Sequence, residues 1–202
     1  MSHAPQEEFW IWFAQHQAEL FDFETDQERL FDQLATQLQK VQPNLTFEFG
    51  PRDGGKREFV ISAGGIKAAF PAVVFLADVA PALDQWRVTA FRPRRTPINI
   101  VELEGKCVAP DNVQFSLLDN GTSAGIYLFI PGLRKGDIVF KQIGYLLLDD
   151  ALGEYDVETR LGLIKMFSPD TITNGDRYPL AELPALFDQL VARLEGRTGS
   201  PS

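Results

Sequence analysis

Apolar positions recur at helical spacing through the first forty residues, then switch to strict alternation. Glu7 to Phe21 carries the aromatic cluster Phe9, Trp10, Trp12 and Phe13 and is expected to be a helix. A second helix is expected over Thr25 to Val41, where Leu30, Phe31, Leu34, Leu38 and Val41 line one face. Thr25 and Glu28 stand at capping-box spacing, and Pro43 and Asn44 end the run. Leu45, Phe47 and Phe49 then alternate with Thr46 and Glu48, the period of a strand.

The order that follows occurs twice. Strand Leu45–Phe49, turn, strand Arg57–Ala63, helix near Phe70–Ala80 and strand Trp86–Phe91 make a first ββαβ unit. Strand Val113–Leu118, turn, strand Ala124–Ile130, helix near Asp137–Leu152 and strand Glu158–Phe167 make a second. Laid over one another, Phe47 meets Phe115, Phe59 meets Tyr127, Ile61 meets Phe129 and Gly64 meets Gly132. Two such units can join edges into one mainly antiparallel sheet with helices behind it. Ile126–Ile130 and Leu161–Phe167 are apolar on both parities, as strands covered on both faces are, and the aromatic N-terminal helices are the expected second cover. The expected fold is therefore α+β in a single domain. A helical cover occupies 6–42, the two units 45–97 and 112–169, a C-terminal helix 180–195 and a disordered tail 196–202.

Composition narrows the function classes. Nineteen basic against 28 acidic residues leave a formal charge of −9. Phosphate contacts need clustered Lys and Arg, so nucleic acid and anionic membranes are poor partners. The apolar runs are too short to span a bilayer, and the acidic N-terminus is unlike a secretory signal. Cys107 is the one cysteine, which leaves no internal disulfide and suits a reducing, cytoplasmic compartment.

Two motifs look chemical and are not. Gly50, Gly55 and Lys56 have phosphate-loop spacing, but Arg57 stands where a cation-holding Ser or Thr is needed. The flanks alternate, so "PRDGG" is expected to be a hairpin turn. "GTSAG" around Ser123 matches a nucleophile elbow, yet it joins strand to strand rather than strand to helix. The two histidines, His3 and His16, offer it no base. One Cys and two His make no ordinary zinc site. "DDALGEYDVE", Asp149 to Glu158, lacks the calcium-loop pattern and is expected to be a solvated helix end and loop. No cofactor motif is present.

Against this acidic background "FRPRRTP" gathers Arg92, Arg94 and Arg95, stiffened by Pro93 and Pro97. Arginine forks suit carboxylates and phosphates. The cluster either clamps a small anion or acidic partner, or pairs internally with Glu154, Asp156 and Glu158. A second candidate is the polar side of the sheet, where alternation groups Thr46 with Glu48, Arg87 with Thr89, Gln114 with Ser116, and Glu158 with Arg160. A cleft would form there if the N-terminal helices covered that face incompletely. Trp10 and Trp12 are either an interface anchor or the packing face of a terminal helix.

The segments "LTFEFGP", "REFVISAGGI", "AFRPRR" and "LGEYDVET" resemble those of a bacterial protein family with no assigned activity. The resemblance covers about the middle two-thirds of the chain. It implies a cytoplasmic bacterial origin and carries over no catalytic residue. The leading expectation is a non-catalytic interaction protein of accessory, regulatory or immunity type, monomeric or homodimeric. The alternative is an enzyme or sensor for a small anion, with the arginines as clamp and Glu48 or Glu158 as acid–base groups.

Overall fold

The computed structural model describes residues 4–198. His3 and residues 199–202 of the expected tail lie outside them. The described chain is α+β and divides into two compact units, one running up to Arg92 and the other from Pro93 onward.

In the first unit, helices α1 (Pro5–Phe21) and α2 (Gln27–Val41) precede strands β1 (Thr46–Asp53) and β2 (Lys56–Ser62), helix α3 (Phe70–Asp78) and strand β3 (Trp86–Ala90). The strands form a sheet of order β1-β2-β3, antiparallel in the hairpin and parallel across the α3 crossover. The hairpin turn is Gly54–Gly55, both at positive φ (56° and 78°), so the phosphate-loop spacing is a tight turn as expected. Phe47 lies opposite Ile61, and Phe49 opposite Phe59 and, across β2, Val88; these residues share one face. Phe13 stacks on Phe59 at 4.9 Å, Phe31 of α2 meets Phe47 at 5.1 Å edge-on, and Val73 and Leu76 of α3 join the same core.

All three helices thus cover one face. The expectation that α1 and α2 would cap the other face is overturned, and the reason is chemical. That face presents Thr46, Glu48, Glu58 and Thr89 around the buried Val60 and Ser62, and apolar helices there would leave the carboxylates without polar partners. Thr89 Oγ1 instead donates to Glu58 at 2.7 Å. The capping box does not form either. Thr25 sits in a 3₁₀ turn and donates to Asp22 O, and α2 begins after Asp26. Phe91 closes β3 at φ 64°, a left-handed conformation costly for a bulky residue. Its amide donates to Ile61 O at 2.8 Å and its ring lies 4.6 Å from Phe70.

The second unit opens with a hairpin absent from the sequence-based expectation, β4 (Val101–Leu103) and β5 (Lys106–Val108), turning at Glu104 and Gly105 with φ 48° and 73°. Strands β6 (Gln114–Asp119) and β7 (Ala124–Phe129), helix α4 (Ile138–Leu152), helix α5 (Glu154–Arg160) and strand β8 (Leu161–Phe167) follow. The short β9 (Tyr178–Pro179) and α6 (Leu183–Thr198) complete it. Asp137 caps α4, accepting from Phe140 N. The sheet order is β8-β7-β6-β9, with β6/β7 antiparallel and β7/β8 parallel. The "GTSAG" stretch is the β6–β7 turn, as expected. Ile126 and Leu128 face α4 and α6 in a core of branched aliphatics. The opposite face is covered by the chain between β8 and β9: Arg177 lies 3.7 Å over the Phe129 ring and donates to Pro169 O at 2.7 Å and to Thr171 O.

Five further expectations are corrected. The two units form separate sheets rather than one joined sheet. The overlay slips by one residue: Phe115 opposes Leu128, so Ile61 corresponds to Leu128 and Phe59 to Ile126, not to Phe129 and Tyr127. A one-residue slip exchanges the faces of a strand. Glu158 and Arg160 lie on α5, not on a strand, and Asp149 and Glu154 are buried rather than solvated. Finally, α6 runs on through Thr198, so 196–198 are helical.

Helix α4 comes very close to its sheet at Gly144. A Cβ there would stand 2.5 Å from Met166 Sδ and 2.9 Å from Ile130 Cδ1.

Candidate functional site

The residues expected to bind an anion are placed in scattered structural pairs. In the first unit Arg92 donates its Nε to Glu48 Oε1, and Arg87 is exposed on β3. In the second unit Arg94 donates to Leu152 O at 2.8 Å, to Asp156 at 2.9 Å and, through both Nη atoms, to Asp188 at 2.9 and 2.8 Å. These bonds hold the Asp188 carboxyl below the ordinary carboxylate range and raise the Arg94 guanidinium. The Arg95 amide donates to Asp150 O at 2.7 Å. Arg160 pairs with Asp156 at 3.0 Å and Glu195 at 2.5 Å, and Glu158 is half-buried on the same helix. Arg94 and Arg160 therefore meet at Asp156 as a strut between α5 and α6. Of the three carboxylates weighed for the arginine cluster, Arg94 meets Asp156, and its other carboxylate partner, Asp188, was not singled out by the sequence.

A different feature has the form of a binding site. Pro5 starts α1 at a position where its missing N–H costs nothing. Phe9, Trp10, Phe13 and Leu20 turn inward, and Ala4, Glu7, Ile11 and Ala14 follow one another along a neighbouring stripe. In α3, Phe70, Val73 and Leu76 are buried while Val74, Phe75 and Val79, just past its end, are exposed. Trp10 Nε1 donates to Leu76 O at 2.9 Å, satisfying a last-turn carbonyl and tying the two helices together. Between them runs a groove of about 390 Å³, floored by Trp10, with Ile11 and Ala14 on one bank and Phe75, Val79 and Pro81 on the other. Phe75 is 52% exposed and Ile11 44%. Among the described residues that line it, Glu7 alone is ionisable.

Such a groove can bury apolar surface from outside but holds no acid–base pair or nucleophile. Of the two tryptophans weighed above, Trp10 is both packed and groove-lining. Trp12 stacks on His16 at 4.5 Å. Sequence reasoning missed the groove because "FPAVVFLAD" is apolar all round, and periodicity then selects no face. Among the described residues no group of three or more His, Cys, Asp or Glu could hold a metal ion, and no helix is long and apolar enough to cross a membrane. Neither a family model, nor a curated protein, nor a solved structure matches this chain.

Proposed function

We propose that the chain is a non-catalytic interaction protein, of accessory, regulatory or immunity type, acting in the cytoplasm and receiving a partner in the α1–α3 groove. The observation that carries this reading is the open apolar groove itself, with Phe75 half-exposed on its bank and Glu7 alone ionisable among its described lining residues. Clustered exposed apolar side chains on a soluble domain mark interaction surfaces. The enzyme or sensor alternative needs arginines available to an anion, and Arg94 spends its donors on Leu152, Asp156 and Asp188.

We further infer that both units descend from one ββαβ block. What supports it is the shared order of hairpin, crossover helix and parallel third strand.

The test is photocrosslinking in cell extract from a benzoyl-phenylalanine placed at position 75, with position 33 on α2 as control. A discrete adduct at 75 alone is expected. Equal labelling at both positions, together with a small-anion thermal shift lost in the Arg94→Ala/Arg95→Ala variant, would return the argument to the anion reading.

A further inference from the structure

Independently of the α1–α3 groove, we infer that the free edge of β8 takes an extended acidic segment of a partner protein as an added strand. In its sheet β8 has one neighbour, β7. Its residues, LGLIKMF, include no proline and one charge, so the edge lacks most of the devices that blunt exposed strands. The pairing shows which backbone groups are free. Phe167 O accepts from Ile130 N, just past β7. Peptide groups alternate along a strand, so Lys165 also turns its own toward β7, and the N–H and C=O of Ile164 and Met166 point out of the sheet.

Burial agrees that this edge is open. Ile164 and Met166 lie opposite Ile126 and Leu128 of β7 and face the same core, yet they are part-buried where their partners are fully buried. Beside them a groove of about 300 Å³ separates β8 from α4, lined by Lys141 and Tyr145 of the helix and by the strand from Ile164 to Phe167. An extended peptide laid there meets backbone groups for its ladder and an apolar wall for its side chains.

Charge selects the occupant. Lys141 and Lys165 are exposed and both line this groove, and no acidic residue is among its described lining. Lys165 lies over the Tyr127 ring at 5.8 Å, on the sheet face away from α4, whereas Lys141 approaches from α4. The carboxylates that the helix places a turn away do not answer them. Asp137, one turn before Lys141, accepts from Lys106 through both oxygens, and Asp149, one turn past Tyr145, is buried. A strand added at Ile164 and Met166 therefore runs between two lysines, one toward each face. Neighbouring residues of a strand point to opposite faces, so two adjacent carboxylates answer both. A second copy is the poorer occupant: β8 paired with β8 brings in the same lysines twice, and the strand has no carboxylate to meet them.

The experiment uses the full chain and fluorescein-labelled peptides of about eight residues, rich in Thr and Val, with Glu-Glu or Lys-Lys at the centre. Anisotropy is expected to show the Glu-Glu peptide binding at least about tenfold more tightly. Lys141→Glu/Lys165→Glu, at two exposed positions, should reverse that order. Methyl groups on alternate backbone nitrogens of the peptide should abolish binding in one set and spare it in the other, since alternate N–H groups face the edge. Hydrogen exchange should slow at the Ile164 and Met166 amides once the peptide is bound.

Equal binding of both peptides, or an order that the double reversal leaves unchanged, overturns the acidic occupant. Methylated sets that bind alike mean contact through side chains alone and overturn strand addition. Exchange slowed elsewhere overturns the assignment to β8. Binding of neither peptide overturns the inference outright. If the protein then dimerises with concentration while the two amides become protected, the occupant is a second copy. The position-75 adduct is a separate matter, and its absence removes the α1–α3 reading alone.

Discussion

The helix-covered face of the first sheet is lined by Phe47, Phe49, Phe59 and Trp86, and that of the second by Phe115, Ile126, Leu128 and Ile164. Both sheets have a hairpin and a parallel third strand, so topology does not dictate the filling. Rings bury more area per side chain and prefer edge-on or tilted contacts, as Phe13 and Trp86 (5.2 Å, 76°) and Phe49 and Trp86 (5.0 Å, 50°) show. Few rings then fill the core beneath three helices. The apolar surplus of α1 and α3 is left facing outward, and that surplus is the groove. In the aliphatic unit α4 buries Ile143, Leu147, Leu148, Ala151 and Leu152 and leaves Ile138 and Tyr145 exposed.

The contrast can be broken most directly at the two core centres. Phe59→Ala removes a ring in contact with Phe9, Trp10, Phe13, Phe49 and Trp86 and is expected to cost about 3–5 kcal/mol. Leu128→Ala should cost less, about 2–4 kcal/mol, because the aliphatic site collapses more readily. Urea unfolding of both variants checks this, and equal losses would erase the distinction between ring and aliphatic cores.

The Asp156–Arg94–Asp188 strut ranks next. Arg94→Met keeps most of the bulk and loses the polar contacts. We expect a loss of about 1–2 kcal/mol, the value for charged hydrogen bonds reduced for a third-exposed side chain. An unchanged melting temperature would show the strut to be idle.

The first unit has its own charged contact, and it sharpens the comparison through pH. Arg57 is buried under Phe23, 4.4 Å from its ring, and donates to Glu24 at 2.5 Å. That bond pushes the Glu24 carboxyl down to about 2. A depressed carboxyl contributes stability above its unfolded pKa of 4.5 and loses it as pH falls toward about 2. Glu24→Gln should therefore unfold at lower urea than the parent near neutrality, and the two midpoints should converge across this window. A constant gap would mean that ionisation of Glu24 contributes nothing.

The smallest effect is a gain. Glu104 occupies a left-handed position before Gly105 in the β4–β5 turn. Glu104→Asn should raise stability by a few tenths to about 1 kcal/mol, measured as a higher melting temperature.

Local chemistry made much of this fold legible. Alternation placed the strands of both hairpins, and Asp137 announced the start of α4. The errors have physical origins that alternation and helical spacing do not register. Whether Glu158 is strand or helix turns on Gly153, whose φ of 83° restarts the chain as α5. Parity cannot say how many helices one sheet face needs, so α1 and α2 were assigned to the wrong side. The partner of Arg94 sits on α6, 94 residues away. As for the site, the sequence directed attention to charge, while the groove is built from apolar residues that elsewhere would mean only core.

Gly144 carries a consequence of another kind. With no side chain on the helix at that point, the thioether of Met166 fills the gap between α4 and β8. Sulfoxidation would set a polar oxygen into a space with no room for a methyl group. Met166 is the one methionine besides Met1. Oxidation of that thioether would act at this seam and lift the helix from its sheet.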